Sequence, residues 1–159
     1  GWKDCHLHRF GIRPKRRKDE CHIGIPDLDG GFVDSPDMQK VFPGWEIPAR
    51  EGFKDLGVEA KYLYDFGDDW YHTVKLEGVV CREKGLKYPI CIGGRRACPP
   101  EDCGGVPGYF RLQRALTEPD NEEFSDVREW IGGACDPEAF SPEAIRFDDP
   151  YKRWDVAFS

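Results

Sequence analysis

The sequence is short of methionine, of aliphatic side chains and of positive charge, and each shortage bounds the answer. Met38 is the only methionine, so the chain lacks an initiating residue at its start and an element upstream of Gly1 is expected. Leu, Ile, Val and Phe together supply 35 of 159 residues, close to the lower edge for a folding chain. The 5 Trp, 6 Tyr and 10 Phe must then provide much of the core area, so an aromatic core is expected. No stretch approaches the length of apolar residues that spans a bilayer, and Gly1–Phe10 is polar and aromatic rather than a secretory leader. A cytoplasmic protein with no membrane partner is the consequence. The formal net charge of −7 repels polyanions on average, so nucleic acid would need a local basic patch. No internal repeat, no phosphate-cradling glycine loop and no Gly-x-Ser-x-Gly elbow is present, which excludes solenoids, nucleotide-loop folds and the serine-hydrolase elbow.

What is present organises into one domain over residues 1–159, as the length predicts. Cys5 to Ile12 alternates in polarity and predicts a strand, Arg13 to Lys18 a basic hairpin tip, and Cys21 to Ile25 a returning strand ended by Pro26. Asp27 to Glu51 reads as a long packed loop. The clearest signal is Glu59 to Val80, a β-hairpin turning at Gly67 to Asp69. A three-residue loop would pair Tyr64 with His72, a five-residue loop Tyr62 with His72. Arg82 to Gly105 is a structured loop. Helical spacing then predicts helices over about Pro107–Thr117 and around Phe124, Val127, Trp130 and Ile131, with Trp70 and Trp130 in core phase. Ser141 and Pro142 signal a third short helix with Ile145 as its buried contact. Strands precede helices, so the fold class is α+β: a mostly antiparallel sheet with a central β-hairpin, packed by C-terminal helices.

Three constellations carry chemistry. The segment from Tyr64 through Asp65, Asp68 and Asp69 to His72 gathers carboxylates and an imidazole at one hairpin end, suited to a hard cation or acid/base work, although Asp and Gly are also ordinary turn residues. Cys98 and Cys103 enclose four residues, at the upper edge of structural zinc spacing; two further ligands would have to come from Cys81, Cys91, His6, His8 or His72. Seven cysteines are an odd number, so at least one is unpaired, and reduced thiols are the expectation. Arg13 to Lys18 is the one basic run, without interleaved aromatics.

Gly1-Trp2, His6-Leu7-His8, the stretch Tyr64 to His72, Tyr88-Pro89, Ala97 to Gly105, and Asp136-Pro137 before Phe140 together resemble the plasmid pRiA4b ORF-3-like family, from Gly1 to about Phe147. The resemblance implies an α+β domain and an upstream strand and helix leading into Gly1-Trp2. Some members are labelled resolvase-like or joined to DNA-binding regions, and the family supplies no agreed catalytic residue. Arg9 stands where the resemblance leads one to expect an acidic residue.

The resulting functional expectation is a ligand- or peptide-binding or regulatory module whose aromatic and acidic groove forms near His8, Tyr64, Asp68, Trp70, His72, Glu101 and Asp102. The alternatives are a metal-assisted hydrolase, with His72 or Glu101 as base and zinc as the candidate ion, and DNA association through the basic loop. Cys98 and Cys103 are the candidate metal ligands. His6, His8 and His72 are expected to approach the Cys98 to Cys103 loop.

Overall fold

The computed structural model describes residues 1–13, 20–26, 41–132, 135–149 and 152. The basic run lies outside these except for Arg13, as does the 27–40 part of the predicted loop. Among the described residues five strands form one sheet: β1 (His8–Ile12), β2 (Cys21–Gly24), β3 (Val41–Pro43), β4 (Glu59–Tyr64) and β5 (Trp70–Lys75), in the order β3-β2-β1-β4-β5. All neighbours are antiparallel except β2 and β3. A single turn of 3-10 helix, Gly44–Glu46, and the short helix α1 (Ala49–Gly52) follow β3, where sequence alone predicts only loop. Helices α2 (Gly105–Thr117) and α3 (Ser125–Ile131) complete the α+β fold. None of the helices among the described residues is long and apolar enough to cross a membrane.

Alternation along β1, β4 and β5 decides the two faces of the sheet. Register sets His8, Tyr64 and Trp70 in one row, Phe10, Tyr62 and His72 in the next, and Ile12, Ala60 and Val74 in a third, all on one face. The hairpin therefore adopts the five-residue loop. Asp65 Oδ1 accepts from Gly67 N–H at 2.8 Å and Asp68 N–H at 3.3 Å, while Asp65 and Asp69 take left-handed φ of 58° and 54°. These side-chain bonds select the longer turn over the shorter one. Tyr64 and Trp70 are buried beneath this end, as are Ile12 and Ala60 beneath the other.

The helices join the sheet at the same hairpin. Asp68 Oδ2 accepts from Gly104 N–H at 3.0 Å, and the Tyr109 ring stands edge-on to Trp70 with centroids 6.4 Å apart. A side chain at Gly105 would meet the Asp68 carbonyl oxygen at 2.3 Å, so only glycine lets the helix start this close to the turn, at φ 64°. Leu112 and Ala115 of α2 are buried, as is Phe124, and Arg111 and Arg114 lie over the Phe124 ring. Arg111 also grips Asp126 of α3 through two bonds of 3.0 Å. Trp130 departs from its expected core phase: it is 51% exposed and borders a cavity of about 320 Å³ between α2, α3 and Asp102–Cys103. Phe124, just ahead of the seven-residue helix, is buried, while within the helix Val127 and Ile131 are half-buried and Trp130 faces outward. The third short helix is a single 3-10 turn, Pro142–Ala144; Ser141 gives its hydroxyl to Glu143 rather than capping the turn, and Ile145 is half-buried.

Candidate functional site

The chain ahead of β1 folds back over the hairpin end, and an aromatic stack holds it there. The Trp2 ring lies on Tyr64 at 4.7 Å and 16°, tilts against Trp70 at 5.3 Å, and meets His72 edge-on at 5.1 Å. Three of the sequence-predicted site residues, Tyr64, Trp70 and His72, thus form the floor under Trp2. His72 Nδ1 lies 3.3 Å from the Tyr62 carbonyl oxygen, a backbone contact that orients its ring. The Tyr64 hydroxyl emerges from the floor and donates to Glu101, 3.1 and 3.2 Å from its two carboxylate oxygens. Burial, with Glu101 as acceptor and a contact to Cys5, raises the Tyr64 phenol well above its ordinary range. The backbone N–H of Lys3 also donates to Glu101. Glu101 is therefore fixed by two elements, the N-terminal segment and β4.

Beside that carboxylate stands His6. Its Nε2 is 3.2 Å from Asp102 Oδ1, 3.7 Å from Asp65 Oδ2 and 3.9 Å from Glu101 Oε2, and the sulfur of Cys5 borders the same space. Asp65 is 8% exposed; its Oδ1 is held by the turn, and its Oδ2 faces the imidazole. Of the three histidines expected near the Cys98 to Cys103 loop, His6 reaches the loop's Glu101 and Asp102. His72 contacts Trp2 and Tyr62 instead.

His8 serves a different place. With Phe10, Ile12 and Ile23 from β1 and β2, and with Ile47 and Phe53 from the segment around α1, it lines a cavity of about 330 Å³. Among the described residues His8 is the one titratable side chain in that lining; its Nδ1 is closed to solvent, makes no hydrogen bond, and lies 3.6 Å from Asp4 Oδ1. Asp68, also among the expected site residues, ties the hairpin to α2.

The paired cysteines stand apart from the His6 cluster. Cys103 is half-buried, and burial followed by the Asp68 charge pushes its thiol up to about 11. Cys98 is exposed as a residue, yet the protein around its thiol shifts it upward, with a backbone hydrogen bond from Trp2 acting the other way. Among the described residues, groups of three or more close ligand atoms form around His6 and include neither Cys98 nor Cys103. Sequence reading missed Trp2 and Cys5 as members of the site, since neither belongs to a regular element. His6 and Asp65 carried a signal, the first in the alternation with His8 and the second at the hairpin end.

Comparison with known proteins gives a consistent relation. The family described as plasmid pRiA4b ORF-3-like protein matches residues 1–144. An uncharacterised protein, y4hQ of Sinorhizobium fredii, is 33% identical over 158 residues, covering 97% of this chain and 74% of its own. A crystal structure of a protein of unknown function, MM3350 from Methanosarcina mazei, superposes with a TM-score of 0.74 at 34% identity, over 92% of this chain and 75% of that one.

Proposed function

The chain belongs to the plasmid pRiA4b ORF-3-like family, and from that premise we propose that it is a ligand-binding domain whose cavity against β1 receives a small, largely apolar molecule, with His8 as the polar contact. The observation that carries this reading is the combination of an apolar lining with one imidazole whose Nδ1 is closed to solvent and makes no hydrogen bond, Asp4 Oδ1 standing 3.6 Å away. A buried polar atom without a partner costs about 1–3 kcal/mol, a cost relieved by a ligand that supplies the missing hydrogen bond. The cavity's volume of about 330 Å³ is at the small end of the range for ligand pockets, so the occupant is a single ring system or a short chain bearing one polar group. Tyr64, Trp70 and His72 support this reading from below, because their packing under Trp2 holds the rows of the same sheet face in place.

Titration with the fluorescent probe 2-naphthol, one fused ring system bearing one hydroxyl, tests it. Saturable binding of one equivalent is expected, weakened at least tenfold by Ala49→Trp, which fills the cavity, and weakened in His8→Ala. Binding that ignores Ala49→Trp would place the probe elsewhere and remove the reading.

A further inference from the structure

We propose that His6, Asp65 and Asp102 form a binding site for a divalent transition-metal ion, zinc by preference, with Glu101 and Cys5 bordering its open positions. The site is separate from the His8 cavity and does not depend on that reading.

The distances favour coordination over hydrogen bonding. An N–H to oxygen bond spans about 2.7–3.2 Å; Asp65 and Glu101 stand beyond that range from His6 Nε2 at 3.7 and 3.9 Å, and Asp102, at its limit of 3.2 Å, makes no hydrogen bond with it. Zinc bonds of about 2.0–2.2 Å in a tetrahedron separate ligand atoms by roughly 3.3–3.6 Å, a range the two shorter separations bracket. Two buried facts point into the same space. His6 Nε2 is closed to solvent and makes no hydrogen bond, and Asp65, its side chain 11% exposed, spends one carboxylate oxygen on its turn and aims the other at the imidazole. Three carboxylates meeting one imidazole also leave excess negative charge, which a divalent ion offsets.

Donor chemistry selects the ion. An imidazole with carboxylates, and a thiol at the margin, suits zinc; calcium and magnesium take oxygen ligands. The shell behind the ligands is built as metal sites require: the Asp65 oxygen facing away from His6 is held by Gly67 and Asp68, and Glu101 by Tyr64. Three protein ligands leave a fourth position for water, the arrangement that supports metal-assisted hydrolysis.

Cobalt titration of chelator-treated protein tests the proposal, because cobalt in such a site absorbs in the visible and zinc does not. One equivalent of Co²⁺ is expected to bind with visible bands, to be displaced by Zn²⁺, and to bind at least tenfold more weakly in His6→Ala and Asp102→Asn. Asp102 is exposed, so Asp102→Asn keeps the fold even if the His6 variant does not. Cys98→Ser and Cys103→Ser should bind as the unaltered protein does. Absence of stoichiometric binding overturns the site, as does binding lost in the cysteine variants and kept in Asp102→Asn, which would locate the ion at the cysteine pair.

Discussion

Tyr62 stands on the sheet face between His8, Phe10 and His72, and burial, assisted by the Asp4 charge, raises its phenol to about 12. In the unfolded chain a tyrosine ionises near about 10, so the fold favours the neutral form. The sign follows from that difference: the contribution to stability is fully present below about pH 10 and is lost as pH climbs through the window from about 10 to about 12. Tyr64 is shifted the same way and steepens the loss. Thermal melts across this range, with tyrosinate absorbance recorded alongside, should show the midpoint falling as the phenols ionise, and Tyr62→Phe should remove part of the fall. A second residue-scale test lies at Gly105, where a methyl group would collide with backbone at Asp68 and φ is 64°. Gly105→Ala should cost about 1–3 kcal/mol in chemical unfolding, the range for a residue forced into a sparsely populated backbone region; an unchanged midpoint would mean that α2 starts elsewhere.

At the scale of elements, the contrast between two tryptophans separates alternation from helical period as guides to the core. Trp70 lies under Trp2 and Tyr109, so Trp70→Ala should cost about 3–5 kcal/mol. Trp130 is half-exposed on α3, and Trp130→Ala should cost less than about 1 kcal/mol, whereas Phe124→Ala should match Trp70→Ala. Urea midpoints at constant slope measure all three. The strand hairpin, α2 and the alternating face were legible because each repeats its pattern over several turns or residue pairs. Strand β3 was not: three residues ending in Pro43 carry no alternation, and parallel pairing with β2 leaves no local turn to announce it. The site was half legible for a related reason. His6 shares the phase of His8, and Glu101 and Asp102 stand out in their loop, but Trp2 and Cys5 precede any regular structure. Their place depends on Trp2 closing over Tyr64, far away in the chain.

For the whole molecule, the question is whether the proposed ion builds the fold or rests on it. The contacts that hold the N-terminal segment, hairpin and α2 together run through rings and backbone: Trp2 on Tyr64, Tyr109 against Trp70, and Gly104 on Asp68. These three do not pass through His6, whose ring adds an edge-on contact to Tyr64 at 5.8 Å that needs no ion. This differs from a zinc finger, where binding energy is folding energy. Chelator-treated protein should therefore still unfold in one cooperative transition. Zinc added at a hundredfold excess over its dissociation constant contributes about 2.7 kcal/mol through binding to the folded state alone. A domain of this size gains roughly 2–4 °C per kcal/mol, so the midpoint should rise by about 5–10 °C with zinc and stay still with magnesium. A chelated sample without a cooperative transition would make the ion a folding element, and a midpoint indifferent to zinc would remove it from the molecule altogether.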